Sequence, residues 1–313
     1  MPFFARKKLE PGWMAMQFTP EGVCMAHVRQ VADNKPLVTL CMVFPIEVAD
    51  VRALEKQAKE IHLNRYNCSL LLNSSEYQML VVEAPNVPTA ELKTAVRWRM
   101  KDMLDFSVDD ATIDVLDIPA DKNAPSRTRS LFAVAARNNI IRKRMADFDA
   151  AKLPVSVIDI PELAQRNIAS LLEDKGRGMA MLSFDENGGL LTFTYSGELY
   201  SSRHIDIPLS QLNQSDSEQR QRYFDRITLE LQRSMDSFER QFSFINISKL
   251  VLAPLPPGVN LEAYLTSNLY LPVSTMSLDE VFDFSAVSGV GPAQRQQCFL
   301  ALGAALRNEE GVS

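Results

Sequence analysis

The sequence predicts an α/β protein in which one βββαβαβα-like unit occurs twice. Two segments begin alike, "GWMAMQFTPEGVCMAHVRQ" from Gly12 and "GMAMLSFDENGGLLTFTYSG" from Gly178. Each has an apolar run, a polar turn and a second apolar run, which is typical of a β-hairpin. Strands and helical patterns then alternate in both halves, so each half is predicted to form a mixed sheet covered by crossover helices.

The two halves continue with matching elements. In the first half we predict strands at 37–44, 69–73 and 154–160 and a helix at 161–173. In the second half we predict strands at 199–207, 249–254 and 271–276 and helices at 218–242 and 292–307. Helix 218–242 has the clearest periodicity, because apolar side chains recur at spacings of three and four: Phe224, Ile227, Leu231, Met235, Phe238 and Phe242. This stripe is predicted to face the core.

The first half carries an insertion, roughly 76–150, with the pattern of a compact βαββα module. Its predicted elements are strand 77–85, helix 89–104, strand 111–119, a polar link at 120–128, strand 130–137 and helix 138–150. On helix 89–104 the side chains predicted to face the sheet are Leu92, Ala95, Val96, Arg99, Met100 and Met103. The predicted domains are therefore 1–75 with 151–175, the insertion 76–150, and 176–313.

Composition and charge limit the classes of function. The chain of 313 residues is 46% apolar and 23% charged, which is ordinary for a soluble globular protein. A net charge of −6 provides no general basic field, so nucleic acid is not predicted as a partner. The four cysteines (Cys24, Cys41, Cys68 and Cys298) form no CxxC pair, which favours a reducing compartment. No apolar run reaches the ~20 residues of a membrane span, so a cytoplasmic location is predicted.

Most kinds of catalytic site are not indicated. The histidines His27, His62 and His204 are isolated, so a zinc site is not predicted. Neither a GxSxG motif nor a Walker GxxxxGK[ST] loop occurs. The adjacent carboxylates Asp109 and Asp110 follow a helix, as solvated turn residues commonly do. The basic and aromatic N-terminal segment "MPFFARKKLEPGW" is typical of a disordered tail or of a weak contact with a membrane surface.

The hairpin turns are the remaining candidates for chemistry. Backbone N–H groups can hold phosphate where small residues allow close approach, and nearby carboxylates can hold Mg²⁺. In the second half, Gly188 and Gly189 would supply the small residues, and Asp185 or Glu186 the charge. In the first half, Pro20 removes a donor and Glu21 would repel phosphate. A phosphate clamp needs suitable turns in both halves, and only the turn of the second half is suitable, so a clamp is not predicted.

Four motifs in order resemble the actin-like ATPases of the FtsA and PilM type. The segment Val81–Pro119 is similar to the inserted subdomain of PilM through Pro88, Glu91, Leu92, Ala95, Val96, Phe106 and Asp114. The "LELQRSMDSFERQF" segment resembles the family's "LEIQRSLxxY" helix, with Glu230, Gln232, Arg233 and Ser234 in place. "KLVLAP" with "EAYLTSNLYLPV", and then "FLALGAALR", resemble the late strand-helix-strand passage and the closing helix. The resemblance implies a duplicated RNase H-like, actin-like (ASKHA) fold, with a subdomain inserted in the first half. Within the family the chain is most similar to MshI, which serves the mannose-sensitive haemagglutinin pilus.

The chain departs from the family at its phosphate motifs. Aligned on the family's "DIGSSSVK", it has Gln17 for the Asp, Thr19 for the Gly and Cys24 for the Lys. The second motif, "DIG", falls on Ser183-Phe184-Asp185, and the adenosine-side "GG" falls on Pro254-Leu255. We therefore predict a pseudo-ATPase with no catalytic residues, no metal and no required cofactor. If Mg·ATP does bind, the residues expected to contact it are Asp185, Gly188, Gly189 and Glu230.

The resemblance implies a role in assembling a type IV pilus. PilM-like proteins bind the cytoplasmic N-terminal tail of a bitopic inner-membrane protein, here PilN-like or MshJ-like, beside the inserted subdomain. We expect recruitment to the inner-membrane face, with the motor ATPase and a second copy of the chain as further candidate partners. The residues predicted to contact the tail are Trp98, Val87 and Leu80. Trp98 lies off the apolar stripe of its helix, as either an edge-packing residue or an exposed anchor, and the tail could also add along a sheet edge.

Two alternatives to this scaffold remain. An active actin-like ATPase switch would bind Mg·ATP despite the altered motifs. A filament-forming protein of the FtsA type would carry an amphipathic membrane-targeting C-terminus, and the short acidic end "RNEEGVS" argues against it.

Overall fold

The computed structural model describes residues 9–45, 51–121 and 129–307. The strands are β1 Trp13–Thr19, β2 Gly22–Arg29, β3 Leu37–Phe44, β4 Asn67–Leu71, β5 Tyr77–Glu83, β6 Ala111–Ile118, β7 Ser130–Arg137, β8 Val155–Asp159, β9 Gly178–Asp185, β10 Gly188–Tyr195, β11 Glu198–Ile205, β12 Ile247–Leu252 and β13 Val273–Thr275. The helices are α1 Val51–Glu60, α2 Thr89–Met100, α3 Asn138–Ala150, α4 Pro161–Ser170, α5 Leu209–Leu212, α6 Ser217–Gln241, α7 Leu261–Asn268, α8 Leu278–Val281, α9 Pro292–Gln297 and α10 Phe299–Ala305. The predicted segments at 1–8, 122–128 and 308–313 lie outside the described residues.

The two halves have the same sheet topology, which confirms the predicted duplication. One five-stranded sheet has the order β3-β2-β1-β4-β8 and the other the order β11-β10-β9-β12-β13. In each sheet an antiparallel hairpin and third strand are followed by two parallel strands reached through crossovers. The leading strands β1 and β9 are buried along most of their length, because helices cover both faces of each sheet.

Helices α4 and α10 join the halves at the centre of the molecule. Helix α4 follows β8 of the first sheet and packs against both α10 and β10 of the second sheet. A Cβ on Gly303 of α10 would lie 2.2 Å from the carbonyl oxygen of Ala164, so this crossing of helices requires glycine. All seven residues of α10 are buried. The core therefore continues from one half into the other.

The inserted module forms its own three-stranded sheet, in the order β5-β7-β6. Helix α2 covers one face of this sheet through Leu92, Val96 and Met100. The other face packs against both halves: Tyr77 and Ala136 contact Ile160 of the first half, and Ile118 and Phe132 belong to the core of the second half. The module is thus attached through one sheet face, and β5 and β6 are its two edges.

Three predicted helices differ from the structure. Helix 89–104 ends at Met100, so the stripe that faces the sheet is shorter than predicted: Arg99 is exposed and Met103 is 49% exposed in the turn that follows. Helix 161–173 ends at Ser170. Helix 292–307 is interrupted at Cys298, where the backbone leaves the helical region at ψ 7° and the thiol donates to the carbonyl oxygen of Met42 at 3.5 Å.

Candidate functional site

A cleft of about 800 Å³ lies between the β1–β2 turn of the first half and the β9–β10 turn of the second. Its lining combines both turns with β5 of the inserted sheet and the start of α4. Lining residues that bear on its chemistry are Gln17, Glu21, Glu162, Ser183, Asp185 and Arg203. The cleft therefore joins the two positions at which the sequence departs from the phosphate motifs.

The first-half turn faces the cleft with groups that do not favour phosphate. Gln17, at the position of the family's carboxylate, is 4% exposed. Thr19 donates its hydroxyl to the carbonyl oxygen of Gly22 at 3.2 Å, and Pro20 has no N–H to offer. Glu21 lines the cleft with a carboxylate. An anionic phosphate here would meet one missing donor and one like charge.

The second-half glycines are required by packing in their own hairpin. Gly188 has φ +131°, and a Cβ there would lie 2.7 Å from the carbonyl oxygen of Ile205. A Cβ on Gly189 would lie 2.6 Å from the ring of Phe184. Both glycines therefore allow β10 to pass its neighbours closely, as predicted for hairpin glycines. Gly188, Gly189 and Asp185 do line the cleft together.

Asp185 makes local hydrogen bonds within its own turn. Its Oδ1 accepts from the main-chain N–H of Asn187 at 2.7 Å. Burial raises the pKa of the Asp185 carboxyl group, and the hydrogen bonds from Asn187 and Gly188 only partly offset this effect. Asn187 thus holds this carboxyl group within the β9–β10 turn, since its side-chain nitrogen also lies 3.3 Å from Asp185 Oδ2.

Ser183, at the position of the second family carboxylate, belongs to a buried network centred on Gln165. Ser183 Oγ donates to Gln165 Oε1 at 2.5 Å. The Gln165 amide nitrogen lies 2.9 Å from the carbonyl oxygen of Met181, 3.0 Å from that of Leu190 and 2.9 Å from Thr192 Oγ1. Gln165 lies on α4 and is fully buried. The network therefore fastens the helix that follows the first sheet to strands β9 and β10 of the second.

A second buried pair lies at the start of α4. The hydroxyl of Tyr77 donates to Glu162 Oε2. Burial raises the pKa of the Glu162 carboxyl group, against the opposing effect of that hydrogen bond. Burial, followed by the negative charge of Glu162, raises the pKa of Tyr77 well above its usual range. These shifts favour the neutral forms of both groups, which suits a structural contact between the inserted sheet and α4.

Glu230 does not belong to the lining of the cleft. It lies on α6 with its side chain 20% exposed, 3.2 Å from Arg203 and 3.4 Å from Arg233. Only Arg203 of these three reaches the cleft. Glu230 thus approaches the cleft only through Arg203, whereas Asp185, Gly188 and Gly189 border it directly.

The side chains at the two phosphate positions differ from those of the family motifs. Gln17 on β1 and Ser183 on β9 stand where the motifs have carboxylates, although Asp185 ends β9, and Pro20 leaves a gap in the backbone donors. Among the described residues, no group of three or more His, Cys, Asp or Glu side chains is placed to hold a metal ion. The polar groups nearest these positions are bonded to one another instead.

The outer edge of β5 is a different kind of surface. Within the described residues β5 pairs only with β7, so its outer backbone groups face away from the sheet. Tyr77, Met79 and Val81 share one face of the strand, since side chains alternate. Tyr77 and Met79 line the cleft, and Val81 follows them with 50% of its surface exposed. An apolar row therefore runs from the cleft to an unpaired strand edge.

The predicted partner residues do not form one surface. Leu80 and Val87 are partly buried and pack against the core beneath α2. Trp98 is 66% exposed and lies roughly 160° from Val96 at 100° per residue, so it faces away from the sheet. Leu80 and Val87 thus lie beside the β5 edge, whereas Trp98 is on the outer side of α2.

Comparison with known proteins connects this arrangement to pilus assembly proteins. Residues 47–189 match the family model of the type IV pilus assembly protein PilM. The structure is similar to that of a PilM-PilN type IV pilus biogenesis complex, with a TM-score of 0.70, 18% identity, and coverage of 94% of this chain and 98% of that chain. A Bacteroides thetaiotaomicron protein with an actin-like ATPase fold and unknown function aligns at a TM-score of 0.50, with 9% identity over 90% of this chain and 96% of that chain. No curated protein matches the chain in sequence.

The chain has a duplicated actin-like fold. This follows from the matched topology of its two sheets together with these similar structures, and it confirms the predicted fold class. The family match spans α1 to the β9–β10 hairpin and so includes the whole inserted sheet. Among the helices of the described residues, none combines the length and apolar character that crossing a bilayer requires.

The sequence analysis missed the buried polar residues beside the cleft. Gln165 and Glu162 lie within the helical segment "PELAQRNIASLL", where polar side chains are ordinary. A signal was available, because Gln165 falls one helical turn before the buried Ala169 and one turn after Pro161, on the inward face. The exposed Val81 carried no such signal, since it sits within a continuous apolar run.

Proposed function

We propose that the chain is a non-catalytic scaffold of the type IV pilus assembly platform. In this role it binds the cytoplasmic N-terminal tail of a PilN-like inner-membrane protein, and this recruits it from the cytoplasm to the membrane face. The family match over the inserted sheet and the similarity to a PilM-PilN complex support the proposal. The resemblance to MshI extends it to a pilus of the mannose-sensitive haemagglutinin type.

The observation that carries the proposal is the open edge of β5. An extended tail can add to such an edge through main-chain hydrogen bonds, while its side chains contact the exposed residues of the strand. Val81 offers apolar surface at this edge, and Met79 continues it toward the cleft. The attachment of the inserted sheet to the first half places this edge beside the host domain, where a groove between the two can form.

The pseudo-ATPase part of the proposal rests on the side chains at the phosphate positions. Gln17 and Ser183 replace two carboxylates, and Ser183 is already hydrogen-bonded to Gln165. Gly188 and Gly189 are explained by packing. An active ATPase switch is the second candidate, and the observation that favours it is the cleft of about 800 Å³ with Asp185 on its border.

Peptide binding to two matched variants tests the proposal. The probe is a fluorescein-labelled synthetic peptide with the sequence of the cytoplasmic N-terminal tail of a PilN-like protein from the organism that produces this chain. Val81→Asp should weaken its binding about tenfold or more, because a charge replaces the apolar contact at the strand edge. Leu171→Asp is the control, since Leu171 is similarly exposed at 45% but lies at the end of α4, on another element.

Three results distinguish the outcomes. Binding that is lost in Val81→Asp and kept in Leu171→Asp supports the tail site on β5. Equal binding by wild type and Val81→Asp would place the tail elsewhere and contradict the site. Absence of tail binding by the wild-type chain would contradict the scaffold role itself.

A further inference from the structure

Helix α6 carries a line of arginines along its outer face. Arg222, Arg226, Arg233 and Arg240 are spaced by four, seven and seven residues, which keeps them within roughly 40° of one another at 100° per residue. Leu229 lies between Arg226 and Arg233 on the same line and is 44% exposed. The line extends about 27 Å at 1.5 Å per residue. These five residues are called the arginine face below.

Most of the arginine face is unpaired in the part of the chain that the structure describes. The guanidinium groups of Arg222, Arg226 and Arg240 form no ion pair there, and only Arg233 does, with Glu230 at 3.4 Å. The opposite side of α6 is held in the core by Phe224, Leu231 and Phe238. The helix is therefore fixed by its inner side, and its outer side presents three unpaired guanidinium groups, with the exposed carboxyl groups of Asp225 and Asp236 beside them.

The charge distribution on α6 favours a protein partner with carboxylate side chains over an anionic lipid surface. Helix α6 contains five arginines and five acidic residues, and the whole chain has a net charge of −6. A lipid surface responds to charge summed over about 10 Å, the screening length at ordinary salt, and over that distance α6 is close to neutral. Carboxylates placed against individual arginines avoid this averaging, since they bond to each guanidinium at short range.

The residue types of the arginine face also favour a protein partner over a lipid surface. All the basic residues of α6 are arginine, whose planar guanidinium pairs with carboxylates in a two-pronged geometry that lysine cannot form. An apolar side chain between two arginines, as Leu229 is between Arg226 and Arg233, is typical of a protein interface, where apolar and arginine side chains make strong contacts. The single Leu229 is too small an apolar surface for insertion into a bilayer.

We propose that the arginine face binds an acidic amphipathic helix of a protein partner. Carboxylates at helical spacing on that partner would pair with Arg222, Arg226 and Arg240, and an apolar side chain would cover Leu229. This surface lies on the second half of the chain, whereas the proposed tail site lies on the inserted sheet. The chain would then have two separate docking sites.

Two synthetic peptides test this proposal with the full chain. Both peptides are capped, alanine-based and helical, and each has four glutamates and one leucine. In the first peptide these five residues share one face of the helix. In the second peptide they are distributed around the helix. Fluorescence anisotropy should show tighter binding of the one-face peptide, weakening as salt is raised. The double variant Arg222→Glu with Arg226→Glu should weaken that binding about tenfold or more, because two attractions become repulsions.

The control has the same change in charge at another place. Arg142→Glu with Lys143→Glu alters two exposed basic residues of α3 and should leave peptide binding unchanged. Circular dichroism shows whether the glutamate variant is folded. If it is not, the double variant Arg222→Ala with Arg226→Ala replaces it and should still lower the affinity for the one-face peptide. Equal binding of the two peptides, or equal binding by the double variant and wild type, would overturn the proposal.

Two further results would also overturn it. Binding to vesicles of phosphatidylserine and phosphatidylcholine that depends on Arg222 and Arg226, without discrimination between the peptides, would assign the face to lipid. A dimer seen by sedimentation and abolished by the double variant would assign it to a second copy of the chain.

Discussion

The cleft between the two halves and the outer edge of β5 differ in what their polar groups are already bonded to. Behind the lining of the cleft, Ser183 bonds to the buried Gln165, and Tyr77 bonds to Glu162. At the β5 edge, the outer backbone groups have no partner strand among the described residues, and Val81 is half exposed. The buried polar groups beside the cleft are therefore already bonded, whereas the outer backbone groups of β5 are open to pairing with an added strand.

In the proposed role, a duplicated actin-like fold keeps its cleft while the use of the cleft changes. A serine in place of an aspartate does not leave an empty position, because Ser183 completes the bonding of a buried glutamine. Through that bond Ser183 connects α4 to the second sheet. If the cleft is structural and the β5 edge binds the tail, changes behind the cleft should lower stability, and changes at the edge should lower affinity for the tail.

Replacing the central glutamine tests the structural role of the cleft. Gln165→Leu should lower the free energy of unfolding by about 3 kcal/mol, because Ser183 and the acceptors on β9 and β10 lose a buried partner. Urea unfolding followed by circular dichroism measures this difference. Gln232→Leu, at an exposed position of α6, is the matched control and should change stability by less than about 0.5 kcal/mol. A loss of less than about 1 kcal/mol in Gln165→Leu would show that the network does not hold the halves together.

The buried carboxyl group of Glu162 predicts a pH dependence. Burial raises the pKa of this carboxyl group in the folded chain, so folding favours its protonated form. The stability that the protonated group contributes is therefore present at low pH and is lost as the pH rises through the raised pKa. Glu162→Gln keeps an oxygen that can accept from Tyr77 but removes the titration. The variant should therefore be more stable than wild type at pH 8, with a difference that shrinks toward pH 4. Thermal melts of both proteins between pH 4 and pH 8 give the difference in stability. A difference that does not depend on pH would show that Glu162 does not titrate with a raised pKa in the folded chain.

Trp98 should show the smallest effect. Its side chain is 66% exposed and faces away from the inserted sheet, so Trp98→Ala should change the free energy of unfolding by less than about 0.5 kcal/mol. Binding of the tail peptide should weaken by less than about threefold, far less than in Val81→Asp. A larger loss of affinity would extend the tail site to the outer side of α2, as a contact made by an exposed anchor.

The sequence predicted the order of elements well, because hydrophobic periodicity and turn residues are local signals. Strands β3 and β7 and helix α3 have the predicted bounds. The end of α2 and the break at Cys298 were missed, and at Cys298 the thiol contacts a residue distant in sequence, since it donates to the carbonyl oxygen of Met42. Periodicity extends a helix until a breaker residue appears, and neither position has one.

The candidate site could be predicted only in part. Motif comparison located Gln17 and Ser183, and the structure brings both to the cleft. It did not reveal that Ser183 bonds to Gln165, because 18 residues and the α4–β9 connection separate them. The availability of the β5 edge depends on strand order, which the sequence of three similar strands does not determine. Because the strand order was not known, Leu80 and Val87 were predicted to contact the tail and Val81 was not.

Calorimetric titration with Mg·ATP, and then with the tail peptide, shows whether the chain binds nucleotide, the tail or both. We expect no heat and no thermal stabilisation at millimolar Mg·ATP, followed by saturable binding of the tail peptide that nucleotide does not change. Saturable binding of Mg·ATP in the micromolar range, weakened by Asp185→Ala, would contradict it. The cleft would then be a working nucleotide site, and the chain a switch.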